Sequence, residues 1–232
     1  MPDYDDFPPI EDYLIIGDLH TVALVSKRGS IDWLCLPNFD SPSIFGKLLD
    51  PGVGCLAIEM PGHKIDAAYI KDTAVVEFRL SGNDNEIAIR DFLVPCATKN
   101  EVNQQLVRAI SGIRGKTTAG FRFQPACDYG SVAPPVRATK DRLQFSCGDG
   151  RVIMHIPEGA SAVKKSDHYS IEIPVEAGDT KQLKLEYIPS SSEPLANQSN
   201  LERKTLTFWR RWVSKGRYAD FRRDRLIRSA IT

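Results

Sequence analysis

The feature that most limits the fold of this chain is a two-residue period of apolar side chains, repeated in short runs through its first 190 residues. Leu143, Phe145 and Cys147 alternate with polar neighbours, as do Tyr169, Ile171, Ile173 and Val175, then Leu183, Leu185 and Tyr187. Ile87 with Ile89 and Phe121 with Phe123 repeat the pattern. Successive side chains of a strand point to opposite faces, so each run gives a sheet one apolar face to bury against a second sheet. Turn residues separate the runs: Arg28-Gly29-Ser30, Ser81-Gly82-Asn83-Asp84, Ser111-Gly112 and Gly148-Asp149-Gly150. The stretch from Val22 to Val25, a Lys-Arg-Gly-Ser turn and the stretch from Ile31 to Leu36 predict a hairpin. At least nine strands with no long helix among them predict an all-β sandwich or barrel over residues 1–190. With 232 residues, of which 42% are hydrophobic and 26% charged, the chain is large enough for a real core, and disorder or a coiled coil is excluded.

Past residue 190 the period changes. The segment SSSEPLANQSN, 190–200, is rich in Ser, Asn and Pro and reads as a linker. Leu201, Thr205, Trp209 and Val213 then fall four apart, beside Leu206 and Trp212, which predicts a helix with one apolar stripe, closed by Gly216. A second helical stretch covers 219–232. Its Leu226, Ile227, Ala230 and Ile231 are expected to be unpartnered, as in a piece of a larger unit, and to offer a surface for self-association. The charge changes at the same place. Residues 1–200 carry 20 Lys and Arg against 27 Asp and Glu, a net −7, while 201–232 carry 10 against 3, a net +7.

Several chemistries lack their residues. The four histidines, His20, His63, His155 and His168, are far apart, and no cysteine pair has metal-ligand spacing, so no metal site is expected. Gly52-Val53-Gly54 is only a fragment of a dinucleotide fingerprint and opens no helix, so no cofactor is expected. Five scattered cysteines, Cys35, Cys55, Cys96, Cys127 and Cys147, are expected as reduced thiols in the cytoplasm. The acidic, proline-bearing start is unlike a signal peptide, and no apolar run is long enough to suggest a membrane span. Arg210, Arg211, Arg222, Arg223, Arg225 and Arg228, interleaved with Trp209, Trp212 and Phe221, have the composition of a nucleic-acid surface. Their helices also carry apolar stripes, which favours packing against protein, so no nucleic-acid partner is expected.

Carboxylates among aromatics remain. Asp18, Asp32 and Asp40 lie near Trp33 and Phe39. Aromatic rings stack on the C–H faces of sugars while acids accept their hydroxyls, so this grouping suits carbohydrate. Ordinary core packing explains the same aromatics. Nothing in the sequence separates the pKa values of the three acids, as acid–base catalysis of glycoside cleavage requires.

Longer stretches supply a resemblance. Residues 10–18, IEDYLIIGD, residues 21–25, TVALV, and residues 29–43, GSIDWLCLPNFDSPS, closely resemble the N-terminal signature of bacterial family-15 glycoside hydrolases, which include glucoamylase-like and trehalase-like enzymes. Residues 90–95, RDFLVP, 128–130, DYG, and 208–212, FWRRW, fit the same family. The resemblance implies a β-supersandwich of the galactose-mutarotase type over 1–190, a linker over 191–200, and over 201–232 a linker helix with the start of an (α/α)6 catalytic barrel. In that family the barrel carries the general acid and general base of an inverting α-glucoside hydrolase. No residue here inherits a catalytic role, and the chain alone is expected to be an inactive accessory domain partnered with the barrel of its own polypeptide. Within the loop 37–42, fixed by Pro37 and Pro42, Phe39 and Asp40 are expected to border the substrate cleft, together with Trp33. The other reading is a free-standing carbohydrate-binding module that uses Trp33 and its neighbours.

Overall fold

The computed structural model describes residues 7–95, 104–194, 199–218 and 222–231. In chain order the first nine strands are Tyr13–Gly17 (β1), Val22–Ser26 (β2), Ser30–Cys35 (β3), Ser43–Phe45 (β4), Cys55–Ile58 (β5), Lys64–Tyr69 (β6), Val76–Ser81 (β7), Glu86–Leu93 (β8) and Gln105–Arg114 (β9). Then follow Lys116–Gln124 (β10), Arg137–Ala138 (β11), Arg142–Cys147 (β12), Gly150–His155 (β13), Ser161–Lys164 (β14), Tyr169–Glu176 (β15) and Thr180–Pro189 (β16). Two helices close the chain, Leu201–Ser214 (α1) and Arg223–Ile231 (α2).

The strands form two eight-stranded antiparallel sheets. One runs β1-β2-β3-β5-β10-β15-β14, with β4 beside β3; the other runs β11-β12-β13-β16-β9-β8-β7-β6. The fold is thus the large all-β sandwich with a short helical tail that the alternation predicts. Its core is made by the inward sets: Ile87, Ile89 and Leu93 of β8, Leu143, Phe145 and Cys147 of β12, and Tyr169, Ile171, Ile173 and Val175 of β15 all belong to one buried cluster. The β2–β3 hairpin forms as expected, and Gly29 turns its corner at φ 82°, where a Cβ would lie 2.4 Å from Ile58 Cδ1. Between the pairs Leu24–Trp33 and Val25–Ile31 the register slips, so Asp32 is an extra residue in the ladder.

Two inward positions break the apolar pattern. Asp91 of β8 and Arg108 of β9 are both fully buried and bonded through two oxygens, Nε to Oδ1 at 2.8 Å and Nη2 to Oδ2 at 2.6 Å. The same guanidinium reaches the other sheet, donating from Nη2 to the Gly29 carbonyl at 3.0 Å and from Nη1 to the Leu56 carbonyl at 3.3 Å.

Helix α1 lies on the outer face of the second sheet. Leu201 joins Val75, Phe92, Val107 and Ala109 there, and Arg90 of β8 bonds both Glu77 and Glu202. Trp209 and Val213 close with Ala74 onto Ile227 and Ile231 of α2. The expectation that α2 lacks a partner is therefore corrected. Ile227 and Ile231 are buried, Trp212 Nε1 donates to the Ala230 carbonyl at 3.0 Å, and Arg228 donates to the Thr73 carbonyl at 3.0 Å with its guanidinium 3.4 Å from the Tyr69 ring centre. The residues that cover α2 come from the 70–75 turn and from α1, places that the period of α2 itself does not reveal. Leu226 remains exposed. The Tyr69 hydroxyl in turn bonds β1, accepting from the Ile15 N–H at 2.6 Å and donating to the Ile15 carbonyl at 3.1 Å.

The expectation of five free thiols is also corrected. Cys127 and Cys147 are bonded to each other with Cα atoms 5.7 Å apart, whereas Cys35 and Cys55 are free and buried. Cys96 lies outside the described residues. Twenty residues separate the bonded pair, and only the packing of the 127–132 loop beside the end of β12 brings them together. The thiol argument for a cytoplasmic protein loses this support. Among the described residues no helix is long and apolar enough to cross a membrane, and no three His, Cys, Asp or Glu side chains gather as metal ligands.

Candidate functional site

Of the residues singled out in the sequence, Asp18, Phe39 and Asp40 lie at one end of the first sheet, where β3 runs out into the loop 37–42, whereas Asp32 and Trp33 sit farther back along β3. The Phe39 N–H donates to the His20 carbonyl at 3.0 Å, tying this loop to the 18–21 turn. Phe39 itself is 66% exposed, and Asp40 is exposed beside it. A small cavity of about 260 Å³ lies between Phe39, Gly17, the residues from Leu19 to Val22 and Ile231 of α2. Asp40 also acts on the thiol of Cys35, which burial first and the Asp40 charge second push up to about 11.

Asp18 and Asp32 serve the fold. Asp18 is buried and closes the 18–21 turn through Oδ1, which accepts from the His20 N–H at 2.9 Å and the Thr21 N–H at 2.8 Å. Asp32 is buried beneath Tyr13, whose hydroxyl donates to Oδ2 at 2.8 Å, and it also accepts from the Ser30 hydroxyl. Burial raises both carboxyl pKa values above the usual range, against the pull of those hydrogen bonds. The structure thus perturbs two of the three acids in a way that the sequence does not show. Neither is exposed to a substrate, however, and their hydrogen bonds hold the protein's own groups.

Trp33 is half-buried, and its neighbour is not Phe39. The ring packs on Tyr129, with centroids 6.0 Å apart and planes inclined by 33°. Tyr129 stands on the 127–132 loop. Asp128, Tyr129 and Gly130 all have positive φ, at 51°, 55° and 86°. Residues other than glycine seldom adopt this conformation, and a tyrosine there is held by its surroundings. The Tyr129 N–H donates to Ser43 Oγ at 3.2 Å, and Cys127 pairs with Val132 through N–H···O bonds of 2.8 and 3.2 Å. A Cβ on Gly130 would lie 2.1 Å from a methyl of Val53, so only glycine fits. In the sequence only the resemblance points to Asp128-Tyr129-Gly130, because alternation carries no information about a loop.

A second polar site lies on the outer face of the other sheet. Glu186, fully buried, contacts His155 Nε2 at 3.0 Å and Lys184 Nζ at 3.8 Å beside a groove of about 870 Å³. A carboxylate pinned between an imidazole and an ammonium holds the strands β13 and β16 together.

Comparison with known proteins places this architecture. A family model described as "Trehalase-like, N-terminal" matches residues 4–200. The chain belongs to the trehalase-like N-terminal family. It is 27% identical to a trehalase of Mycolicibacterium smegmatis over 97% of this chain and 38% of that protein. A trehalase of Thermoplasma volcanium is 26% identical over 98% of the chain and 37% of its own length. The trehalase-like chain therefore spans less than two-fifths of the length of these relatives. Among solved structures it is similar to a galactose-mutarotase-related enzyme of Lactobacillus acidophilus, with TM-score 0.41 and 7% identity over 80% of this chain and 100% of that one. A putative kojibiose phosphorylase from the human microbiome gives TM-score 0.37 and 11% identity over 98% of this chain and 36% of that one.

Proposed function

We propose that this trehalase-like chain is the N-terminal accessory domain of an inverting, trehalose-hydrolysing glycosidase of the family-15 type. Its catalytic carboxylates belong to an (α/α)6 barrel of the same polypeptide, and the domain division at 190 and 200 follows from that reading. The observation that carries the proposal is the family match over residues 4–200. The trehalase relatives, each more than twice as long as the matched stretch, favour trehalose over starch ends as the substrate. The chemistry agrees. Inversion needs two carboxyl groups ~6.5–9.5 Å apart, one kept protonated and the other free to activate water. Asp18 and Asp32 are buried in structural hydrogen bonds, which leaves Asp40 as the one exposed acid of the three. In this reading Trp33, Phe39 and Asp40 border the cleft of the whole enzyme, no cofactor is required, and the protein works in the cytoplasm.

Two assays test the proposal. The chain alone should release no glucose from trehalose or maltose. The longer polypeptide should convert trehalose to one α- and one β-glucose, resolved by NMR before the anomers equilibrate. In that polypeptide Asp40→Ala should lower kcat about tenfold or more with an unchanged melting temperature. Glucose release by the chain alone, abolished by substituting Asp18, Asp32 or Asp40, would refute the accessory role.

A further inference from the structure

Tyr129 has no evident task in the fold. Its ring stands outside the buried clusters and is 48% exposed, yet its backbone occupies a left-handed conformation in the middle of three such residues. The loop that carries it is fixed from every side: by the Cys127–Cys147 bond, by the paired backbone of Cys127 and Val132, by Ser43 and by the seating of Gly130 on Val53. A costly conformation held this firmly marks a place where a side chain is being presented. What is presented is a phenol ring beside the indole of Trp33, itself aimed by the bulge at Asp32.

We propose that Trp33 and Tyr129 form a stacking shelf for one pyranose ring of a neutral, glucose-built sugar, so that the β domain binds carbohydrate in its own right. Trp33 is half-buried and Tyr129 is 48% exposed, so the tilted pair leaves aromatic surface uncovered on which the C–H face of a sugar can stack. Hydroxyl partners stand next to it. Asp128 is exposed, its Oδ2 accepts from Ser131 Oγ at 2.9 Å, and its Oδ1 has no hydrogen bond among the described residues. The acid beside the shelf also selects the ligand class, because a carboxylate accepts sugar hydroxyls and repels the phosphates of nucleotides and nucleic acids. The rigid loop removes much of the ordering cost of binding, which matters for an interaction of one or two rings. Only the choice of a glucose-built sugar rests on the trehalase reading.

The test is saturation-transfer NMR on the 232-residue chain with trehalose and with maltotriose, AMP serving as the anionic probe. Saturable transfer is expected from both sugars, in the millimolar range, and none from AMP. Tyr129→Gly separates binding from folding. It removes the ring and relieves the left-handed strain, so sugar affinity should fall at least about tenfold while the melting temperature stays the same or rises. Tyr129→Phe should keep binding, and Trp212→Ala, on α1 and outside the Trp33–Tyr129 pair, should leave it unchanged. Absence of saturable transfer from any pyranose, transfer indifferent to Tyr129→Gly, or stronger transfer from AMP overturns the shelf. If the shelf binds pyranoses but the longer polypeptide does not cleave trehalose, only the trehalase reading falls. A polypeptide that cleaves trehalose while this chain binds no sugar disproves the shelf alone.

Discussion

Asp167 shows how one exposed side chain sets the acid limit of an edge. It lies in the turn joining β14 to β15, with His168 Nδ1 at 2.8 Å and the Arg122 guanidinium of β10 on its other oxygen. The His168 hydrogen bond first, and the Arg122 charge with it, hold its carboxyl at about 2, below the ordinary 3.8. A lowered carboxyl pKa stabilises the fold above the unfolded value, and that contribution disappears as pH falls from about 4 to about 2. Asp167→Asn should therefore flatten the pH dependence of the urea midpoint in that window; an unchanged slope would show that the pair does not persist in solution. Single residues were also where the sequence was least legible. Asp18, Asp32 and Asp40 look alike in sequence, and only burial under Tyr13 and inside the 18–21 turn separates the first two from the third. Cys127 and Cys147 gave no sign of their bond because spacing along the chain does not encode proximity across a sandwich.

At the level of elements the periodic signals were reliable and the contacts between elements were not. The stripe Leu201, Thr205, Trp209, Val213 is the buried face of α1, as its four-residue spacing required. The partners of α2 were hidden, since Ala74, Tyr69 and Thr73 belong to a strand end and a turn 150 residues earlier. The two helices therefore form one docked unit. Their central amides should be protected together in hydrogen exchange, the α2 stretch 226–231 no less clearly than 205–213. Trp209 is its centre, fully buried, with an indole N–H that has no hydrogen-bond partner among the described residues. Trp209→Ala should cost about 3–5 kcal/mol in urea unfolding. Trp209→Phe should cost much less, because it also removes an unsatisfied donor. Equal losses from the two variants would contradict this account of the packing.

For the whole molecule, the decisive interaction is the one that joins its two layers. Arg108 and Asp91 occupy inward positions that are otherwise apolar, between Leu106 and Ile110 of β9 and between Ile89 and Leu93 of β8. Two opposite charges at inward positions of neighbouring strands are a legible sign of a buried pair, but of the two only Asp91, within the 90–95 motif, stands out in the sequence; Arg108 does not. What the sequence could not show is that the same guanidinium also satisfies the Gly29 and Leu56 carbonyls of the opposite sheet. Asp91→Ala leaves that cation buried and uncompensated, and should cost about 3–5 kcal/mol. Replacing both residues with leucine should cost less than Asp91→Ala alone, apart from the two orphaned carbonyls. If the double variant loses the sum of the singles, the pair is not coupled as the geometry requires.

The hydroxyl of Tyr69 has a consequence for how these molecules behave in a crowd. β1 is the last strand of its sheet, and the outward N–H and C=O of Ile15 are the groups that a strand from another molecule would have to seize in order to extend it. Tyr69 occupies both at once, while its ring is gripped by Arg228 of the last helix. The last helix thus steadies, through one phenol, the group that keeps this sheet edge from offering itself to another strand, and the residue that does so stands more than two hundred positions from the strand that it shields.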